Sequence, residues 1–340
     1  MKNKKILLAN SLLLLALLVF VSLPLLASML FKLKVPISGN ISLLLSGGTS
    51  IIVLGSIALL YCKITKRKFT KVMAIKKISV KQVVLTMLVS VGTYIFAVGI
   101  NSLSMKLFPI AIKDGMAISN ILNSSSLLLG VVVVVLVPSF FEEIFFRGVL
   151  LDAYQGINKN SKFFILTLIF ATLHGNVMQI IYVMFLGLIL LKVREYTGSL
   201  LGSITLHATN NAISFILSKV AMSYMKIADT GVDKGVIDPV QVAATAEVMN
   251  ASFTVVLLRA SIFFLIGGAI LFINLRKLKE YNEDVEHIEV EKEGYIDATE
   301  YIEGENYILA DQKTIHTDNK QYIPLAIYFV CMTILVVLKY

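Results

Sequence analysis

Residues 131–151 decide the fold class, and they read VVVVVLVPSFFEEIFFRGVLL. The stretch is long enough to cross a bilayer as one helix, because about 20 residues rising 1.5 Å each span the hydrocarbon core. Hydrophobic residues fill 57% of the 340 positions and charged residues only 16%, against roughly 25% in an average soluble domain. The sequence therefore predicts an all-α fold, a polytopic bundle of transmembrane helices.

Apolar segments of similar length recur along nearly the whole chain. Together they predict about eight or nine transmembrane helices. These spans are 6–31, 41–62, 83–103, 126–151, 163–175, 177–193, 199–219, 252–275 and 323–338. Two longer connections, 104–124 and 220–250, carry mixed or polar residues, and we expect both to be loops.

The composition divides the chain into three parts. Residues 1–279 are predicted to form the transmembrane helical bundle, with a catalytic core at about 126–219. Residues 280–320 differ sharply, because 283–318 hold 12 of the 22 acidic residues of the chain. We expect this part to be a solvated acidic segment on the cytoplasmic side. Residues 321–340 are predicted to form a C-terminal apolar helix.

The distribution of Lys and Arg predicts the orientation. With the N-terminus in the cytoplasm, 19 basic residues fall in cytoplasmic connections and seven in the others. The net charge of +9 is therefore attributed to membrane orientation, and we expect no nucleic-acid partner. The first apolar run exceeds the 7–15 residues or so of a secretory signal core, which predicts an uncleaved helix. The richness in Lys, Ile and Asn suggests a multi-pass protein of a bacterial cell membrane.

Ionisable and amide side chains interrupt the fourth, fifth and seventh predicted spans. They are Glu142, Glu143, Arg147, His174, His207 and Asn211. Ionisable groups at bilayer depth cost at least roughly 2.5–3.5 kcal/mol each, so they normally mark a cavity, a relay or a site. Helical spacing places Glu143 and Arg147 on one face of the fourth predicted helix. It likewise places His207 and Asn211 on one face of the seventh. The other four candidates then lie at a similar depth, roughly 12–18 Å from the predicted cytoplasmic ends of their helices, counted at 1.5 Å per residue. They are Glu142, His174, His207 and Asn211.

This layer of polar groups fits hydrolysis of an amide bond within the membrane. A carboxylate shielded from water is a stronger proton acceptor, so Glu142 suits a general base that activates water with His174. His207 and Asn211 could donate hydrogen bonds to the oxyanion that forms on the attacked carbonyl. In an alternative chemistry, Glu142, His174 and His207 bind Zn²⁺ or another divalent metal ion, which activates a bound water. Glu143 and Arg147 are interpreted as structural support.

The motif order E-E-x-x-x-R, F-x-x-x-H and H-x-x-x-N resembles the CAAX-protease and bacteriocin-processing family of intramembrane endopeptidases. Residues 142–211 carry the resemblance, and the family includes the type II CAAX prenyl endopeptidase. The resemblance implies that Glu142 and His174 activate water, and that His207 and Asn211 form the oxyanion hole. It also implies a helical bundle. Members of the family are often called metalloproteases, although their metal is contested.

Two other function classes remain to be weighed against proteolysis. A non-catalytic membrane immunity or regulatory protein could bind partners through the same polar cavity. A proton-coupled transporter is disfavoured because no internal repeat stands out in the sequence. For the protease, the expected partners are a peptide or protein substrate in the membrane and the lipid bilayer itself, whereas no feature of the sequence sets the oligomeric state.

Overall fold

The computed structural model describes residues 2–32, 39–109, 126–227, 239–292 and 319–339. Within these ranges the chain is helical and contains no strand, which confirms the predicted all-α class. Eleven helices occur in the described residues, together with a 3₁₀ turn at Asn319–Tyr322. They are α1 (Lys2–Lys32), α2 (Gly39–Thr65), α3 (Phe69–Met73), α4 (Val80–Leu107), α5 (Leu127–Ala153), α6 (Lys159–Leu173), α7 (Val177–Tyr196), α8 (Leu200–Ile227), α9 (Pro239–Asn250), α10 (Phe253–Lys292) and α11 (Ile323–Lys339).

Six helices of the described part of the chain are long and apolar enough to cross a membrane: α1, α2, α4, α5, α10 and α11 with its preceding turn. The chain is therefore a multi-pass membrane protein by length and composition. The predicted spans 163–175, 177–193 and 199–219 form α6, α7 and α8, which are not among these six. The predicted number of eight or nine transmembrane helices therefore stays a prediction.

The predicted loop at 220–250 is wrong in part. Helix α8 continues to Ile227, and α9 covers Pro239–Asn250. The α9 sequence PVQVAATAEVMN begins with a proline at the first helical position and is rich in alanine, and both features favour a helix. Residues 228–238 of this connection, and 110–124 of the other predicted loop, lie outside the described residues.

The acidic segment begins as a helix. Helix α10 runs to Lys292, with ion pairs Arg276–Glu280 and Lys279–Glu283 four residues apart on its surface. Such pairs stabilise an exposed helix by a few tenths of a kcal/mol each, about 0.3–0.5 kcal/mol. Residues 293–318, which hold the rest of the acidic segment, lie outside the described part of the chain.

Helix α5 is irregular where it carries the candidate site. Two π-helical segments, Val131–Leu136 and Ile144–Leu150, flank the α-helical segment Val137–Glu143. Insertions of π geometry widen a helix locally and occur frequently at functional sites. They rotate the side chains that follow, so spacing along the sequence alone does not fix which neighbour each side chain meets.

The C-terminal helix α11 packs on the bundle. The Tyr328 hydroxyl donates to the carbonyl of Ile169 (3.2 Å) and lies 3.0 Å from the Thr172 hydroxyl, both on α6. At the preceding turn, the Asn10 side chain on α1 donates to the carbonyl of Gln321 (3.0 Å). The end of the chain is therefore part of the same helical bundle as the site.

Candidate functional site

Glu143 and Arg147 form a buried ion pair on α5. The Arg147 Nη1 donates to the Glu143 Oε1 at 3.0 Å, with side-chain exposures of 1% and 0%. The Nη2 donates to the carbonyl of Gly187 (3.0 Å) on α7, and the guanidinium lies 4.3 Å from the centre of the Phe170 ring on α6. Arg147 thus contacts three helices, and the ion pair with Glu143 is present. The role of this pair as structural support stays a prediction.

His207 on α8 lies between two carboxylates of α5. Its Nδ1 is 2.9 Å from the Glu143 Oε1, and its Nε2 is 4.0 Å from the Glu142 Oε2. Because a carboxylate paired with arginine can only accept, Nδ1 carries a proton and donates it to Glu143. The other ring nitrogen therefore faces Glu142, where it accepts in neutral imidazole and donates in imidazolium.

Glu142 is the more accessible of the two carboxylates. Its side chain is 22% exposed, whereas Glu143 is fully buried. The Glu142 Oε2 is nonetheless shielded from solvent and has no hydrogen-bond partner among the described residues. A buried oxygen of this kind normally bonds to an ordered water or to a ligand. The predicted role of Glu142 as the general base stays a prediction.

His174 closes α6 and is exposed at its end. It is the C-cap residue of α6 and precedes Gly175, whose φ of +58° turns the chain toward α7. The His174 Nδ1 lies 2.9 Å from the carbonyl of Phe170. Since a carbonyl can only accept, Nδ1 donates and Nε2 keeps a lone pair for another donor. The Phe170 ring contacts both imidazoles edge-on, with centroid distances of 5.1 Å to His174 and 6.0 Å to His207.

Asn211 contacts α5 one helical turn beyond His207. Its Nδ2 donates to the carbonyl of Val134 at 3.3 Å. The proline four residues later, Pro138, has no N–H to donate to this carbonyl, as an α-helix would require. Asn211 therefore supplies a side-chain donor to this carbonyl, and its amide carries a second N–H. Its predicted place in an oxyanion hole stays a prediction.

The alternative in which Glu142, His174 and His207 bind a metal ion stays a prediction. Among the described residues, no group of three or more His, Cys, Asp or Glu side chains could hold a metal ion. The Nδ1 atoms of His207 and His174 are bonded to Glu143 and to the Phe170 carbonyl, which leaves each Nε2 available. The three side chains are nevertheless not gathered into one group in the described part of the chain.

Three contacts of the site were not predicted from the sequence. Glu143 holds His207 across helices, a contact that depends on the π segments of α5 and has no signature in spacing. Gly187 contributes only its backbone carbonyl. Phe170 belongs to the F-x-x-x-H motif, and its separation of four residues from His174 was the available signal for a shared helix face.

Comparison with known proteins finds a family that is similar to the region of this site. Residues 124–213 match the family described as type II CAAX prenyl endopeptidase Rce1-like. The matched region holds the two glutamates, the arginine, both histidines and Asn211, and it confirms the resemblance predicted from the motifs. No curated protein and no solved structure matches the chain.

Proposed function

We propose that this chain, whose segment 124–213 belongs to the Rce1-like family, is an intramembrane endopeptidase. It would hydrolyse a peptide bond in a membrane-associated peptide or protein by means of an activated water. The observation that carries the proposal is the Glu142 carboxylate, with one shielded, unpartnered oxygen 4.0 Å from the His207 Nε2. A general base with room for a water beside a second polar group is what amide hydrolysis requires.

In the proposed reaction, Glu142 takes a proton from a water while the water oxygen attacks the carbonyl carbon of the scissile bond. The His174 Nε2 accepts a hydrogen bond from the same water and orients it. The carbonyl electron pair moves to oxygen and forms a tetrahedral oxyanion. When the carbon–nitrogen bond breaks, the proton on Glu142 passes to the departing nitrogen, which leaves a new carboxyl terminus and a new amine.

The oxyanion would be stabilised by His207 and Asn211. For His207 this role requires the imidazolium form, in which Nε2 also donates. Glu143 then accepts from Nδ1, so it fixes the orientation of the ring while its own charge is paired with Arg147. Asn211 would use the N–H that does not serve Val134. Donors fixed in advance around a developing charge are usually the largest single contribution to such catalysis.

The substrate would approach from the cytoplasmic half of a bacterial cell membrane, with the N-terminus of the enzyme on the cytoplasmic side. This follows from the depth of the layer and from the basic connections of the sequence. A secreted peptide precursor or a lipid-anchored protein tail would present a bond at that depth.

Comparative peptidomics of cells that express the wild-type chain or Glu142→Gln tests the proposal. The control is Glu247→Gln, because Glu247 is an exposed carboxylate on α9. We expect one or more peptides to be cleaved in wild-type and Glu247→Gln cells and left intact in Glu142→Gln cells, at equal protein levels. Identical peptide patterns in all three strains would contradict proteolysis. A cellular phenotype that survives Glu142→Gln would instead favour a partner-binding protein.

A further inference from the structure

Two neighbouring clefts flank Phe163 where α6 begins and α7 ends. The first has a volume of about 380 Å³, and its walls include Phe163, Phe164, Phe185 and Leu188. The second has a volume of about 300 Å³ and lies against the ends of α5 and α7. Neither cleft contains a residue of the candidate active site. Volumes of this size are typical of sites for small ligands.

Basic side chains border both clefts. Those lining the clefts in the described part of the chain are Lys159, Lys162, Lys192 and Arg194, with Glu195 as the acidic one. Glu195 pairs with Lys159. The lining therefore carries an excess of three positive charges after this pair is counted.

The basic groups converge on one apolar surface. The Lys159 and Lys192 Nζ atoms lie 5.8 Å and 5.7 Å from the centre of the Phe163 ring. The Arg194 Nε is shielded from solvent and has no hydrogen-bond partner among the described residues. A shielded donor without a partner is costly, and an anionic oxygen nearby would satisfy it.

The first cleft opens sideways between α6 and α7. Phe164 is 60% exposed and Leu188 is 39% exposed at its rim, and in a membrane protein such apolar side chains face lipid. A ligand can therefore enter from the bilayer without leaving its apolar environment. A basic pocket between membrane helices at the end of the apolar segments has the chemistry of a phospholipid headgroup site.

We propose that these clefts bind one anionic phospholipid of the surrounding membrane. Its phosphate lies among Lys162, Lys192 and Arg194, and one acyl chain lies along Phe164 and Leu188 in the first cleft. The clefts contain none of the candidate catalytic residues, and the proposal does not rest on the proposed proteolysis. The charge excess selects an anionic over a zwitterionic lipid, because each basic residue near a phosphate contributes about 1 kcal/mol, roughly a fivefold change in affinity.

Lipid binding to the purified, delipidated full chain is measured by native mass spectrometry, with phosphatidylglycerol or phosphatidylcholine titrated into detergent. We expect one phosphatidylglycerol to bind about tenfold or more tightly than phosphatidylcholine. The double variant Lys162→Glu/Lys192→Glu should lose this preference. Lys68→Glu/Lys71→Glu, with the same charge change on exposed residues just before and within α3, should keep it. Equal binding of the two lipids, or an unchanged preference in the first variant, would overturn the proposal.

A second pair of variants separates a lipid from a free phosphate. Leu188→Trp fills the apolar cleft, and Ile216→Trp places the same side chain on α8, at an exposed position away from the cleft. We expect Leu188→Trp to lower phosphatidylglycerol affinity about tenfold and Ile216→Trp to leave it unchanged, with excess inorganic phosphate unable to displace the lipid. If phosphate displaces it completely and Leu188→Trp has no effect, the clefts bind a free anion and the lipid site is refuted.

Discussion

At the scale of single residues, His207 is held between the two adjacent glutamates of α5. Glu143 accepts from one ring nitrogen, is paired with Arg147 and is fully buried, whereas Glu142 faces the other nitrogen and is 22% exposed. The two carboxylates thus have different surroundings, because Glu143 is neutralised by Arg147 and Glu142 is accessible. Neighbouring titratable groups with different environments are the usual basis for assigning one to structure and the other to chemistry.

Arg147→Met should destabilise the fold strongly. It leaves the fully buried Glu143 without its cation, and breaking a buried pair in this way costs about 3–5 kcal/mol. Arg259→Met is the matched control, since Arg259 pairs with Glu247 at an exposed position and should cost about 1 kcal/mol or less. The free energy of unfolding, from denaturant titration in detergent, is the measurement. A cost for Arg147→Met no larger than the control would contradict the assigned role.

The double variant Glu143→Gln/Arg147→Met separates stability from orientation. With both charges removed, most of the lost stability should return, because no uncompensated buried charge remains. His207 would still lack its carboxylate partner, so the cleavage rate should stay low. Recovery of both stability and cleavage would show that Glu143 does not orient His207.

At the scale of helices, α4 and α10 touch through their backbones. A Cβ atom added to Gly267 would lie 2.5 Å from the backbone nitrogen of Phe96 and 2.8 Å from the carbonyl oxygen of Gly92. The reciprocal position is equally close, because a Cβ on Gly92 would lie 2.5 Å from the nitrogen of Leu271. Small residues at such crossings let membrane helices gain van der Waals contact over a long interface.

Gly267→Ala should separate these helices and destabilise the protein by about 1–3 kcal/mol, the usual cost of overpacking. Gly268→Ala is the control on the same turn, because its added Cβ would meet the Phe96 ring at an ordinary 3.7 Å. We expect the control to be neutral or slightly stabilising, since alanine is the better helix former. Thermal unfolding of the two variants in detergent gives the comparison, and equal midpoints would refute the close crossing.

The sequence predicted the long apolar helices but not the irregular geometry of α5. Apolar length predicted α1, α2, α4, α5, α10 and α11, because crossing a bilayer imposes a length that composition reveals directly. The pair Glu143–Arg147 was also predictable, since four-residue spacing places both on one helix face. The π segments of α5 and the contact of Glu143 with His207 were not, because they depend on how Pro138 and the neighbouring helices pack. The contact of Arg147 with Gly187 was not predictable either, because it involves a backbone carbonyl.

At the scale of the whole molecule, the two ends of the chain meet beside the end of α5. The Asn10 side chain donates to the Gln321 carbonyl and accepts from the Tyr154 hydroxyl at 2.9 Å, so one amide joins three distant segments. From there α11 runs along α6 to Lys339, whose Nζ lies 3.3 Å from the carbonyl of Gly175, next to His174. The C-terminal helix is thus positioned to support the helix that carries a candidate catalytic residue.

Asn10→Ala should loosen the C-terminal helix. The substitution leaves the buried Tyr154 hydroxyl without its acceptor, which costs about 1–3 kcal/mol. Asn274→Ala is the control, because Asn274 donates only to the carbonyl of Ile270 within its own helix. We expect faster hydrogen–deuterium exchange over 319–339 in Asn10→Ala and wild-type exchange in the control. Equal exchange in the two variants would show that the C-terminal helix is held by other contacts.

The most direct test of the central claim is the cleavage rate of one membrane-anchored peptide, identified by the peptidomics above, by purified protein in lipid vesicles. Wild-type protein and Glu247→Gln are predicted to cleave it at equal rates. Glu142→Gln is predicted to lower the rate by about 10²-fold or more, because general-base catalysis contributes at least that factor. Cleavage by Glu142→Gln at the wild-type rate would contradict a glutamate-activated intramembrane endopeptidase.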